Sequence, residues 1–187
     1  MASSESPELN GIDVEKLHAT IDAVSENPEI GQFAFRAETE WTDALKGKTR
    51  IAEFDHAGER IQSREFQVAG DEPEQILGER TAPNAVEHLL AALGSCLTVG
   101  YAANAAAMDI ELNDLRFEMD GEVDLRGFLG ISDDVRAGYN TITCTAQIDA
   151  DAPADEIEEL RNHVEATSPL VDNITNEVPV ETDLVVE

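Results

Sequence analysis

Lysine is nearly missing from this chain: Lys16, Lys46 and Lys48 are the only three in 187 residues. Lysine and arginine together number 12, against 40 aspartates and glutamates, and the formal net charge is -28 at pH 7. Such a balance repels phosphate backbones and anionic headgroups, so no nucleic acid and no membrane surface is expected as a partner. Cysteine is equally scarce. Cys96 and Cys144 cannot build a disulfide framework, which points to a reducing, cytoplasmic compartment. The opening stretch MASSESPELNGIDVEK has no basic segment and no apolar segment of the kind a signal peptide needs. Internal repeats and low-complexity linkers are missing too. So are the G-x-x-x-x-G-K-[ST] phosphate loop and the G-x-S-x-G elbow. His18, His56, His88 and His163 are scattered, and no His/Cys/Asp group has metal-ligand spacing. No metal and no cofactor is therefore expected.

What is present describes a folded protein. Hydrophobic residues make up 42% of the chain, too many for a disordered polyanion. The length suits one domain with a real core. Acids run from Glu5 to Glu187, so the charge is spread over the whole surface. In molar salt the Debye length falls to ~3 Å and their mutual repulsion is screened. High acid content with scarce lysine resembles proteins of salt-accumulating haloarchaea, and implies a halophilic protein with an acidic surface.

The periodicities predict an α+β domain. Ile12, Val14, Leu17, Ile21 and Val24 fall mostly at helical spacing, and Asn27-Pro28 stops that short helix. Residues 1–10 are polar and expected to fray. Phe33, Phe35, Ala37, Thr39 and Trp41 share one face of a half-buried strand. Lys46-Gly47-Lys48 turns into a second strand near 49–55, and a third follows over 60–68, making an antiparallel meander. Two more strands are predicted over 110–124 and 139–149, joined by a Gly-rich loop. Ile142, Cys144, Ala146 and Ile148 share one face of the latter, so Cys144 reads as a core thiol. An amphipathic helix over 155–166 presents Ile157, Leu160 and Val164. Ser168 then caps a short helix with Pro169 at its first position, and a last strand is predicted over 178–186.

Between these elements lies AVEHLLAALGSCLTVGYAANAAAM, Ala85 to Met108. It is long enough to cross a bilayer. Glu87, His88, Asn104 and its many alanines favour a central helix wrapped by sheet instead. Asn84 and Glu87 have the spacing of a capping box. Gly94 and Gly100 would cost ~1 kcal/mol each in an exposed helix, so they mark close packing. Cys96 sits in mid-helix, away from the helix ends where the macrodipole acts. A thiol buried among Leu and Ala is a poor nucleophile unless a cation stands close.

The run Pro83 to Cys96, PNAVEHLLAALGSC, resembles the signature of the OsmC/Ohr family of osmotically induced and organic-hydroperoxide-resistance proteins. The element order fits as well, and the resemblance covers roughly residues 33–187. It divides the chain into an N-terminal extension with a short helix, 1–30, and an OsmC-like domain, 31–187. The fold it implies has antiparallel sheets wrapped around the long Cys-bearing helix in an intertwined homodimer. Its catalytic positions carry over to Cys96 as the peroxidatic thiol, with a glutamate and an arginine to activate it. The glutamate ten residues before the cysteine is Val86 here. Glu87 lies nine before, half a turn round at ~100° per residue. Lys46, Lys48 and Arg50 all lie in the first strand pair, no motif separates them, and Arg50 is taken as the candidate. The family's resolving cysteine, usually followed by proline, is Ser168.

Two functions follow from the resemblance. In one, the protein is a thiol-dependent peroxidase that reduces organic hydroperoxides through Cys96. It would use a one-cysteine cycle with an external thiol reductant, as part of an oxidative stress response. In the other, it is a catalytically inactive dimer of the same fold that binds a small apolar ligand at its interface. Whether it is an enzyme stays open between them.

Overall fold

A computed structural model describes residues 8–186 of the chain. Its elements follow the predicted order through the last helix. Two two-residue strands, β1 (Glu8–Leu9) and β2 (Ile12–Asp13), form a hairpin before helix α1 (Val14–Glu26). Asn10 and Gly11 turn the hairpin in the left-handed region, which both residues tolerate. The Asn10 side chain donates to the Ile110 carbonyl and accepts from the Leu112 amide, each at 2.9 Å. Residues 8–10, expected to fray, are thus held down. Residues 1–7 of that expected frayed stretch lie outside the described residues.

The meander forms as one antiparallel sheet: β3 (Phe33–Phe35), β4 (Glu38–Asp43), β5 (Lys46–His56) and β6 (Glu59–Gly70). The single strand predicted over 33–41 is broken at Arg36-Ala37. β3 pairs with the end of β5, β4 with its start, and β6 runs along the other edge. The turn between β4 and β5 is made by Ala44 and Leu45, and Lys46–Lys48 already belong to β5. The expected half-burial of the first strand does not occur within the chain. Phe35 and Trp41 are each 76% exposed, and Ile51 and Phe66 are also exposed.

The core sits elsewhere. Helix α2 (Ala85–Ala107) lies on the hairpin β7 (Leu112–Gly121) and β8 (Ile142–Ala150), and against α4 (Ala154–Thr167) and α5 (Pro169–Thr175). Leu93, Leu97, Tyr101 and Ala105 recur every four residues and form one buried stripe. Leu160 and Val164 of α4 meet it, together with Ile110. Gly100 explains how close the helices come: a Cβ there would stand 2.9 Å from a Val164 methyl. The predicted capping box forms, with Asn84 Oδ1 accepting from the Glu87 amide and Glu87 Oε2 accepting from the Asn84 amide. The loop over 125–138 contains a four-residue helix, α3 (Leu125–Phe128).

Helix α2 is long and apolar enough to cross a membrane, and 28% of its most apolar stretch is buried in the chain. The strand predicted over 178–186 does not form: residues 177–186 make no strand pairing. Its alternating pattern is real, but with no edge beside it Val180, Leu184, Val185 and Val186 stay exposed. Cys144 is also corrected. It lies on the face of β8 turned toward α2, but it is exposed, because an open cavity lies beneath it.

Candidate active site

Cys96 follows Leu93 by three positions on α2, at the border of the buried stripe, and is half-buried. Ser168 ends α4 and caps α5, so its side chain points into the corner where both helices meet α2. These two residues, 72 apart in sequence, come together: Cys96 Sγ lies 3.3 Å from Ser168 Oγ. Ser168 is 6% exposed, and its oxygen also accepts from the Val171 amide at 3.3 Å. A serine hydroxyl has one hydrogen. With the Val171 amide on one lone pair, that hydrogen is free for the sulfur. Once Cys96 ionises, its sulfur can only accept, so Ser168 is then the donor.

Glu87 lies elsewhere. It is exposed at the start of α2 and is occupied by the capping box. Arg50 is on β5, half exposed, bonded to Glu65 at 2.8 Å and 3.8 Å from Glu38. Those carboxylates hold its guanidinium even more firmly protonated than usual. Lys46 bonds Glu79 at 2.7 Å. Among the described residues of the single chain, the group that hydrogen-bonds to the Cys96 sulfur is Ser168, not a cation.

Two further groups escaped the sequence reading. Asp71 is 3% exposed and accepts hydrogen bonds from the amides of Glu72, Glu79 and Thr81 and from the Thr81 hydroxyl. The Thr81 bonds above all hold its carboxyl far below the ordinary range. Asp71 thereby closes the loop that leads into α2, and among 40 acids nothing singled it out. The second group is Tyr101, 2% exposed, whose ring meets Phe117 edge-on at 5.2 Å. A phenol on an otherwise hydrocarbon stripe was visible as an exception, since the chain has only two tyrosines.

The comparisons with known proteins agree with this architecture. The fold is similar to that of an OsmC-like protein from Mycoplasma pneumoniae, with a TM-score of 0.59 and 17% identity over 75% of this chain and 86% of that one. It is similar to an OsmC-like protein from Vibrio cholerae, with a TM-score of 0.54 and 10% identity over 76% and 94%. It also resembles an organic hydroperoxide resistance protein OsmC from Legionella pneumophila, with a TM-score of 0.50 and 15% identity over 75% and 88%. At such identities the likeness is one of fold. No curated protein sequence matches the chain. The family described as OsmC-like protein matches residues 78–183, which hold the whole of α2, the β7–β8 hairpin, α4 and α5, and with them Cys96 and Ser168. The chain belongs to the OsmC-like protein family.

Proposed function

We propose that the protein reduces organic hydroperoxides through Cys96 in a one-cysteine cycle. The observation that carries this reading is the 3.3 Å contact between Cys96 Sγ and Ser168 Oγ. The Cys96 thiolate attacks the terminal peroxide oxygen, the O–O bond breaks, and the alkoxide leaves and takes a proton as the alcohol. Cys96 is left as a sulfenic acid. Ser168 donates to the sulfur and stabilises its charge, but a hydroxyl cannot form the disulfide that a second cysteine would. An external small dithiol therefore reduces the sulfenic acid: one thiol displaces water to form a mixed disulfide, and the other releases Cys96. A reducing cytoplasm holds such thiols, and two cysteines without a disulfide fit that compartment.

The acting unit in this reading is a homodimer. The β3–β6 sheet leaves Phe35, Trp41 and Phe66 exposed, and α2 leaves Ala91, Ala92, Ser95, Thr98 and Val99 exposed. Apolar surface of that extent favours a second copy. The partner's sheet would bring a cation to the thiol, and Arg50 is our candidate once it is released from Glu65. Glu87, bound in the capping box, holds the start of the helix that carries the thiol. Domain 31–187 carries the chemistry, and residues 1–30 are an addition to it. The acidic surface suits work in molar salt.

One observation favours a second reading. Among the described residues no cation hydrogen-bonds to the sulfur, and Arg50 is engaged by Glu65. The protein would then be an inactive dimer of this fold with a small apolar ligand at its interface.

The decisive assay measures cumene hydroperoxide consumption with dithiothreitol in molar salt, for the wild type and for Cys96→Ser. Loss of consumption in the variant is the expected result. Equal rates in both proteins reject the peroxidase and leave the binding dimer.

A further inference from the structure

A cavity of about 550 Å³ lies inside a single chain, between the buried stripe of α2, the β7–β8 hairpin, α4 and α5. Leu93, Leu97, Phe117, Ile142, Val171 and Ile174 give it apolar walls. Cys96 and Ser168 are not among its lining residues, although Leu97 and Val171, which do line it, adjoin them. Sites for small ligands span roughly 300–1,000 Å³, with apolar walls and a few placed polar groups.

Tyr101 supplies such a group. It is 2% exposed, yet its hydroxyl makes no hydrogen bond among the described residues. No fully enclosed side-chain polar atom lacks a partner in the described structure, so the Tyr101 oxygen must reach free space. Tyr101 lines the cavity, and that is the space it reaches. In that space the hydroxyl is left to water or to an acceptor that takes the water's place. Burial, with Glu165 nearby, pushes the phenol up, so it stays protonated and can donate. At the mouth, Arg161 and Glu165 bond each other at 3.0 Å and cancel. The chain as a whole carries -28, which disfavours an anion.

We infer that this cavity is a binding site for a small uncharged amphiphile. It would have an aliphatic or aromatic body against the α2 stripe and one carbonyl or hydroxyl oxygen that accepts from Tyr101. Cys144 lines the same space. Partial desolvation, and then Glu165, push its thiol up, so it is a slow nucleophile that forms part of the wall. The site stands on one chain alone and does not depend on peroxidase chemistry.

The probe is prodan, an uncharged naphthyl ketone whose emission moves to the blue in apolar surroundings. Saturable binding at one molecule per chain is expected. Tyr101→Phe keeps the ring against Phe117 and should weaken binding about two- to tenfold, the worth of one hydrogen bond. Cys144→Phe fills the cavity from a strand position that tolerates an aromatic, and should abolish binding. With Cys96→Ser, which leaves Cys144 as the sole thiol, prodan should slow maleimide labelling of Cys144. Binding without saturation, unchanged affinity in Cys144→Phe, or unprotected labelling overturns the site. Unchanged affinity in Tyr101→Phe overturns the role of the phenol.

Discussion

The Cys96 sulfur and the Ser168 hydroxyl stand 3.3 Å apart, and Ser168 is also the N-cap of α5. One hydroxyl therefore holds a helix start and faces a thiol. Ser168→Ala removes the donor. The rate of Cys96 alkylation by a neutral reagent at fixed pH should fall about two- to tenfold, the range of one hydrogen bond. Ser168→Cys should instead trap a disulfide with Cys96 after one equivalent of hydroperoxide, read as loss of both thiols by mass spectrometry. Unchanged alkylation in Ser168→Ala would show that the hydroxyl does not act on the sulfur.

Glu87 offers a clean separation of structure from chemistry. Its carboxylate closes the capping box with Asn84. Asn84→Ala should lower stability to urea by about 1 kcal/mol, as loss of an N-cap does. Glu87→Gln keeps an acceptor in place, and should leave both stability and peroxide consumption near the wild-type level. A large loss of activity in a stable Glu87→Gln protein would assign Glu87 to the chemistry.

Two glycines on one helix should respond in opposite ways to alanine. At Gly94 a Cβ would meet the Met119 methyl at 2.6 Å, the end of a flexible chain that can swing aside. Gly94→Ala should then be neutral or stabilising by up to ~1 kcal/mol through helix propensity. At Gly100 the obstacle is a methyl of buried, β-branched Val164 at 2.9 Å, which has no free rotamer. Gly100→Ala should destabilise by ~1–2 kcal/mol, the overpacking cost less the propensity gain. Urea midpoints of the two variants decide it.

Asp71 ties stability to pH. Its folded carboxyl titrates well below the unfolded value of about 3.9, because four donors hold the ionised form. A lowered folded value means the contribution is present above the unfolded value and drains away as pH falls below it. Asp71→Asn should thus be less stable than the wild type near neutrality, and the gap should narrow from about pH 4 downward. A gap in urea midpoint that is constant with pH would mean the charge is not what matters.

Helix α2 was legible because its signals are local: a capping box, an apolar run and two glycines all lie inside residues 84–107. The amphipathic stripe of α4 and the Ser168-Pro169 restart were legible for the same reason. What escaped was set by neighbours far along the chain. The break at Arg36-Ala37 depends on how β5 divides its edge. Cys144 has the alternation of a core residue, but no periodicity tells a packed face from one that borders a void. The pattern over 178–186 alternates as a strand should, yet a strand also needs an edge to pair with. At the candidate site, the resemblance singled out Cys96 and Ser168, and only the folded chain measured their separation. Spacing placed Glu87 in its capping box and Arg50 on its strand, but not the carboxylates that engage Arg50 from other strands.

The exposed sheet face and tail make the proposed dimer a matter of concentration. In the proposed dimer Phe35 and Trp41 are hidden against another copy, so stability follows mass action and the melting temperature should rise with protein concentration. Every such encounter also joins two bodies of charge -28, which bulk electrolyte must screen. Dilution and desalting therefore push the same way, toward lone, sticky chains, and a dialysed stock should aggregate before it loses its helices.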